Sequence, residues 1–194
     1  MKTQLLVIFA LFALLIDSYK LNAQQIHTTK AFPENWLGLY EGNMYILNLK
    51  KGLIDSVKVN FYFLSTSVKN RWTYRFVYHG LKHDEIIKDY ELVKPDSLKR
   101  NNFIIDEKDG ILIEATFMGN TLYSSFIVYG SLISSVMKME KDEIFYEIYT
   151  ASDQATLSTK NDPKNVSDSF TVESYPPFTT QFVRLKKVNP VIHK

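Results

Sequence analysis

The sequence predicts an all-β protein, a single antiparallel up-and-down (meander) β-barrel of about 8–10 strands. Three observations support this prediction. Hydrophobic residues alternate with a period of two from Trp36 onward, short separators with turn residues divide the alternating segments, and no segment beyond the first 23 residues shows a helical hydrophobic period. Successive side chains of a strand point to opposite faces, so a period of two indicates strands with one buried face.

The composition is that of one globular domain. The chain has 194 residues, of which 45% are hydrophobic and 14% aromatic, enough to build a core and to exclude a disordered chain. The chain has no cysteine. This excludes a disulfide framework, a thiolate nucleophile and a cysteine zinc site.

The first 23 residues are typical of a secretory signal. A basic start is followed by an apolar run at 5–16 (LLVIFALFALLI), which is shorter than the about 20 residues that a spanning helix needs. Ala23 is a small residue suited to cleavage before Gln24. We therefore expect residues 1–23 to be a signal peptide and 24–194 to be the barrel domain. An uncleaved membrane anchor is the alternative.

The predicted mature chain is nearly neutral. Removal of residues 1–23 takes away Lys2, Lys20 and Asp17 and leaves 21 basic and 20 acidic residues. Nucleic-acid binding depends on many phosphate contacts, so we expect no nucleic-acid partner. No second apolar run reaches the length of a membrane span. Export without any cysteine suits a bacterial protein of the periplasm, the cell surface or the medium.

The strands can be placed in order along the chain. An opening strand is predicted at 36–49, and the clearest alternation follows at 56–64 and 71–79. The apolar faces of these two segments consist of Val57, Val59, Phe61 and Phe63, and of Trp72, Tyr74, Phe76 and Tyr78. Further strands are predicted at 86–93, 102–107, 111–117, 121–129, 132–139, 143–150 and 181–188.

The separators favour hairpins between neighbouring strands. Four of them are Lys108-Asp109-Gly110, Gly119-Asn120, Gly130-Ser131 and Lys141-Asp142. Glycine and asparagine tolerate the positive φ of tight turns, and loops this short exclude parallel crossovers. Residues 151–179 form a long polar loop before the last strand, and we interpret it as a mobile surface loop. A lid over the barrel mouth is the alternative.

Residues 36–42 (WLGLYEG) resemble the start of calycin barrels, the lipocalin and fatty-acid-binding superfamily, and especially its bacterial nitrobindin-like branch. There a Gly-x-Trp element begins the first strand, and an arginine near the chain end packs across the tryptophan ring. Gly38 matches the glycine, and Tyr40 stands at the tryptophan position. The resemblance implies a lipocalin-like barrel closed by Trp36, Gly38, Tyr40 and Arg184. A solvent-facing Arg184 is the alternative.

The resemblance and the residues together predict no cofactor, with haem as the minority alternative. The nitrobindin-like branch uses haem, which needs a proximal His or Tyr. The haem ligand of that branch maps onto no histidine of this chain. His79 and His83 have the spacing of two ligands on a helix, but they flank a turn containing Gly80. We predict no metal site.

No catalytic residue is predicted either. Four serines lie in predicted strands without a nearby histidine or a Gly-x-Ser-x-Gly turn: Ser124, Ser125, Ser134 and Ser135. The chain is therefore expected not to be an enzyme. An isomerase or hydratase on a barrel is the least favoured option, and a buried carboxylate or histidine among the cavity rings would favour it.

The aromatic face is the predicted binding site. We predict a small apolar ligand bound by Phe61, Trp72, Tyr74, Phe76, Tyr78, Phe126 and Tyr146. These rings line a cavity if the barrel is wide, and fill the barrel if it is narrow; ten strands favour a cavity. The alternative function is a solid barrel that binds a protein or glycan through residues 151–179. The sequence leaves the oligomeric state open.

Overall fold

The computed structural model describes residues 31–80, 85–97, 101–162 and 169–189. The predicted signal peptide lies outside the described residues. Within them, a 3₁₀ helix at Glu34–Trp36 precedes twelve strands. The strands are β1 (Gly38–Asn48), β2 (Gly52–Ser65), β3 (Arg71–His79), β4 (Glu85–Val93), β5 (Asn102–Asp106), β6 (Leu112–Met118), β7 (Thr121–Val128), β8 (Ser131–Glu140), β9 (Glu143–Ser152), β10 (Leu157–Lys160), β11 (Thr171–Ser174) and β12 (Thr179–Val188).

Ten of these strands close into an antiparallel up-and-down barrel. Their order around the barrel is β1-β12-β9-β8-β7-β6-β5-β4-β3-β2, so β2 to β9 pair with their neighbours in sequence. The first and last strands complete the ring, with Leu39 opposite Val188. The predicted fold class is confirmed. Closure also removes the unpaired strand edges that would otherwise favour aggregation.

The interpretation of residues 151–179 as a mobile loop was wrong in part. The strands β10 and β11 pair with each other as a separate two-stranded sheet. The segment is tied to the barrel at both ends, because the Asp153 N–H donates to the Gly130 carbonyl and the Phe178 N–H to the Thr150 carbonyl. Residues 163–168 lie outside the described part. The two strands have four residues each and little burial, so their hydrophobic pattern was too short to detect.

The inner face of the barrel is the aromatic face that the alternation predicts. Phe61, Phe63 and Phe76 are at most 3% exposed, and Phe61 stacks on Phe76 with 4.4 Å between ring centroids. The outer face of the same strands is charged. Arg71 on β3 pairs with Glu91 on β4 at 2.6 Å between Nε and Oε2.

One end of the barrel is filled by aromatic rings. The segment before β1 brings Phe32 against Phe117, with their rings stacked at 4.0 Å between centroids. Trp36 packs edge-on against both rings and is 1% exposed. The buried Tyr40 hydroxyl donates to the Trp36 carbonyl at 2.6 Å. These contacts shut the end at which β1 begins, which we call the closed end.

The strands β1 and β12 approach each other unusually closely at Gly42. The two strands keep the same register from the Glu41–Lys186 pair to the Tyr45–Phe182 pair, but the residues between these two pairs are not register partners. A Cβ at Gly42 would lie 2.8 Å from the Val183 Cγ2 atom and nearer still to the Arg184 carbonyl oxygen. Only glycine leaves room for this approach.

Within the described residues, no helix is long and apolar enough to cross a membrane.

Candidate functional site

The end of the barrel opposite the closed end contains a cavity of about 410 Å³. Its walls come from the halves of β3 to β9 and β12 that point away from Phe32. Much of the wall is apolar, with Phe76, Phe126, Ile133 and Ile148 among its side chains. Ligand pockets are commonly about 300–1,000 Å³ and mostly apolar, with a few placed polar groups. By size and lining, the cavity is a candidate site for a small molecule.

Five of the seven predicted ligand-binding residues line this cavity. They are Tyr74, Phe76, Tyr78, Phe126 and Tyr146. Phe61 and Trp72 do not line it, although both face inward; they are 1% and 8% exposed and fill the core nearer the closed end. Alternation identifies the face of a strand but not the depth along the barrel axis, so it could not separate these two groups.

The expectation that Arg184 packs on the Tyr40 or Trp36 ring was wrong. Arg184 lies between the buried Val183 and Leu185, so its side chain points outward. Its guanidinium lies 5.3 Å from the centroid of the Phe145 ring and binds Glu140 at 3.2 Å.

The cation over Tyr40 is Lys187. Its Nζ atom lies 5.8 Å from the Tyr40 ring centroid, and the two residues are register partners. The lysine stem also passes over Gly38, where a Cβ would lie 2.6 Å from the Lys187 Cε atom. The predicted arrangement of a strand-end cation over the ring therefore exists, with a lysine three residues further along.

A chain of hydroxyl groups lies on the wall formed by β7, β8 and β9. Ser124 and Ser135 are opposite each other on β7 and β8, with their Oγ atoms 2.8 Å apart. Tyr146 hydrogen-bonds to Ser135. The pKa of the Tyr146 hydroxyl is raised well above its ordinary value, above all by burial and then by the nearby tyrosines, Tyr74 first. These hydroxyls are linked by hydrogen bonds, and the Tyr146 hydroxyl is neutral at physiological pH.

Two tyrosines on β3 present hydroxyls with weaker partners. The Tyr74 hydroxyl donates to the Met137 sulfur at 3.7 Å, and a thioether is a weak acceptor. For the Tyr78 hydroxyl, the described residues supply no acceptor. Burial raises the pKa of Tyr78 to about 12, and it also raises that of Tyr74, to which Tyr78 adds a smaller effect. Both groups are therefore neutral donors at physiological pH.

The charged residues of the lining lie toward its mouth. Glu107 hydrogen-bonds to Tyr90, whose pKa is raised by burial first, then by the charge of Glu107 and by this hydrogen bond. Lys88 lines the mouth and is exposed. The sequence reasoning missed these residues, although Lys88 and Tyr90 lie on the inward face of the predicted strand 86–93. Both residues are an even number of positions from the buried Leu92, so the period of two places them on the same inward face.

A second concavity lies on the outside of the barrel over β1 and β12. It has a volume of about 600 Å³ and is lined by Gly42, Tyr45, Phe182 and Arg184, among others. Its charged residues have both signs, including Glu41 and Lys58, which pair at 3.3 Å. This groove is open to solvent, and its charges already neutralise one another. The internal cavity is therefore the better candidate site.

The histidines give no metal site within the described residues. His79 interacts with the Asn60 side chain at 2.6 Å and with Glu85 at 3.1 Å, on the outer face. His83, His27 and His193 lie outside the described part. No group of three metal-ligating side chains is found among the described residues.

Comparison with known proteins shows the fold alone. No family model matches the chain, and no curated protein matches it. A solved structure similar to this one is a protein of unknown function of the DUF3598 family from Nostoc punctiforme, with a TM-score of 0.51 and 11% sequence identity. The similarity covers 78% of this chain and 47% of that chain, so this chain spans about half of its length.

Proposed function

We propose that this chain is an exported lipocalin-like barrel, of the calycin type, that binds a small apolar ligand without chemical conversion. The observation that supports this function best is the largely apolar cavity of about 410 Å³ at one end of a barrel whose other end is filled by rings. At roughly 30 Å³ for the volume of one water molecule, this space corresponds to about 14 waters. A ligand of about a dozen non-hydrogen atoms fits it.

The rim of the cavity also supports an apolar ligand. Large hydrophobic side chains are exposed on the turns at the open end, including Leu49, Ile111 and Tyr129. An apolar molecule that approaches this end meets apolar surface before it reaches the cavity. Its burial is worth about 25 cal/mol per Å² of apolar surface.

A non-catalytic role is supported by the chemistry of the lining. The carboxylate of Glu107 already hydrogen-bonds to Tyr90, and the described lining contains no histidine. The tyrosines have raised pKa values, so they are weak acids at physiological pH and poor general bases. The alternative of a solid barrel that binds a partner through residues 151–179 lacks support, because the barrel contains a cavity.

Native mass spectrometry of the exported protein tests the proposal. The full-length chain is expressed with export and purified without organic solvent, and its native mass is compared with its denatured mass. We expect a small-molecule adduct in the native spectrum and a polypeptide mass that begins at Gln24. The same polypeptide mass tests the signal peptide.

A matched pair of variants tests where the adduct binds. Phe126→Trp enlarges a side chain of the cavity wall, whereas Ile127→Trp places the same ring on the outer face of the same strand, where Ile127 is 63% exposed. We expect the adduct to be lost in Phe126→Trp and kept in Ile127→Trp. Equal adducts in both variants, or no adduct from the wild-type protein even after incubation with lipid mixtures, would contradict cavity binding.

A further inference from the structure

Exposed apolar side chains gather at the open end of the barrel, the end that contains the cavity. They lie on the turns of this end or among the three strand residues nearest to it, and their exposure ranges from 40% at Phe178 to full exposure at Tyr129. We call them the apolar collar: Leu49, Leu53, Ile54, Ile86, Ile87, Ile111, Leu112, Ile127, Tyr129 and Phe178. By the same criterion, the described residues of the closed end include only Leu64, Val68, Met118 and Tyr123.

The period of two that holds in the rest of the barrel breaks down at the collar. Neighbouring residues of a strand point to opposite faces, and further along β2 and β3 the outward positions carry polar residues such as Lys58 and Arg75. Three strands that start at the open end instead have two exposed apolar residues in succession, Leu53-Ile54 at β2, Ile86-Ile87 at β4 and Ile111-Leu112 at β6. Both faces of the wall are therefore apolar here. Clustered apolar surface of this kind indicates a contact other than water.

The collar surrounds the whole opening. In order around the barrel, its members lie at the β1–β2 turn, before β12, at the β7–β8 turn, at the β5–β6 turn and at the start of β4. A partner that meets all of these positions at once has to be flat and at least as wide as the barrel. Three strand residues span about 7–10 Å. Apolar side chains of interfacial proteins enter the boundary between headgroups and acyl chains to a similar depth, about 5–10 Å.

The exposed charges around the collar have both signs. Lys50 and Lys51 lie on the β1–β2 turn, whereas Glu85 begins β4 and Asp109 lies on the β5–β6 turn. An anionic surface would select for basic residues, each of which strengthens binding by about fivefold. The collar is therefore suited to an apolar contact rather than an electrostatic one. The exposed Tyr129 agrees with this, because tyrosine is enriched where membranes meet water.

We propose that the open end of the barrel docks on the surface of a lipid bilayer, with the apolar collar inserted at the level of the headgroups. The mouth of the cavity then faces the lipid, and its charged residues Lys88 and Glu107 meet headgroups that are themselves polar. The inference goes beyond the proposed function, because docking requires no ligand. It also gives an apolar ligand a route between the bilayer and the cavity that avoids water.

Flotation with phosphatidylcholine vesicles tests the docking. The full-length chain is expressed with export, purified, and mixed with vesicles prepared with or without phosphatidylglycerol. We expect the protein to float with both kinds of vesicle. Phosphatidylglycerol should change the partition coefficient by less than about fivefold, the effect of one basic residue.

A matched pair of serine variants tests the collar. Ile111→Ser with Leu112→Ser removes one apolar pair from the collar, where the two side chains are 50% and 64% exposed. Val68→Ser with Met118→Ser is the control, because these side chains are 57% and 55% exposed at the closed end. All four positions are exposed, so both variants should fold. We expect the collar variant to lower vesicle partitioning at least tenfold and the control to leave it unchanged.

Single fluorescent labels show which end meets the bilayer. The chain has no cysteine, so Tyr129→Cys and Met118→Cys each accept one environment-sensitive fluorophore. Tyr129 lies on the β7–β8 turn of the open end, and Met118 ends β6 at the closed end. We expect vesicles to shift the emission of the label at position 129 to the blue and to leave the emission at position 118 unchanged.

The outcomes separate the bilayer from other occupants. No flotation of the wild-type protein, equal flotation of the two serine variants, or equal shifts at the two labels would overturn the inference. Flotation that requires phosphatidylglycerol would assign the contact to charge and overturn it as well. Light scattering tests a second copy of this chain as the occupant: a dimer that the collar variant separates, and that binds no vesicles, would also overturn the inference. The adduct expected from the proposed function is measured without vesicles, so either proposal can fail alone.

Discussion

The substitution Gly42→Ala should destabilise the barrel where β1 meets β12. An added Cβ would lie 2.8 Å from the Val183 Cγ2 atom, whereas carbon atoms pack best at about 3.5–4.0 Å. The neighbouring strand would have to move by roughly 1 Å, and its Arg184 carbonyl is an even closer obstacle made of backbone. Overpacking of this kind costs about 1–3 kcal/mol, and we expect the upper end because the closest atom belongs to the backbone and cannot rotate away.

Urea denaturation measures this cost. At a slope of about 1–3 kcal/mol per molar urea, a loss of about 3 kcal/mol lowers the midpoint by roughly 1–3 M with an unchanged slope. Gly38→Ala is the matched control. Its Cβ would be closest to the flexible Lys187 side chain, with the Tyr40 ring next at 3.3 Å and no backbone atom among its three nearest neighbours, so it should cost clearly less than Gly42→Ala. If Gly42→Ala costs no more than Gly38→Ala, the close approach of β1 and β12 does not hold.

Three further predictions concern the rings and hydroxyls. Tyr74→Phe should leave the free energy of unfolding of the ligand-free protein unchanged or slightly raised, because its hydroxyl donates only to a sulfur. Tyr146→Phe should lower the free energy of unfolding by up to about 1 kcal/mol, because Tyr146 loses its hydrogen bond with the Ser135 hydroxyl. Equal losses in urea denaturation would contradict this. Phe61→Ala should lower the free energy of unfolding by about 3–5 kcal/mol, because Phe61 is fully buried in the core. Phe126→Ala should lower it clearly less, because the Phe126 ring borders the cavity. If urea midpoints show the reverse order, the assignment of core and cavity is wrong. Stability should fall as pH rises from about 10 towards about 12, because the unfolded chain releases the Tyr78 proton that the folded protein retains. Tyrosinate absorbance measured beside the unfolding midpoint checks this, and early ionisation of all tyrosines without loss of stability would refute it.

The alternation of residues was sufficient to predict the strands and their inner face. Trp72, Tyr74 and Phe76 point inward as the period of two requires, and the meander order follows from the short turns. The depth of each ring could not be predicted, because parity is the same for Phe61 in the core and Phe126 at the cavity. Depth depends on strand tilt and register around the whole barrel.

The contacts between the chain ends were also beyond the sequence. The choice between Arg184 and Lys187 depends on which residue faces Tyr40 across the β1–β12 pair, and turn chemistry says nothing about a pairing that no short turn connects. The need for glycine at position 42 follows from the same pairing. Tyr90 could have been found from its parity with Leu92, but its hydrogen bond with Glu107 required the structure.

The pairing of the first strand with the last sets the order in which this chain can fold. Eight of the ten ladder contacts of the ring join strands adjacent in sequence, and these hairpins have low contact order. The ring itself closes only when Leu39 meets Val188, near the end of the chain, which carries a large loop-closure entropy. A chain still missing β12 has two unpaired edges, on β1 and β9, and is exposed to aggregation until its last strand arrives. Closure of the barrel therefore cannot precede the arrival of β12.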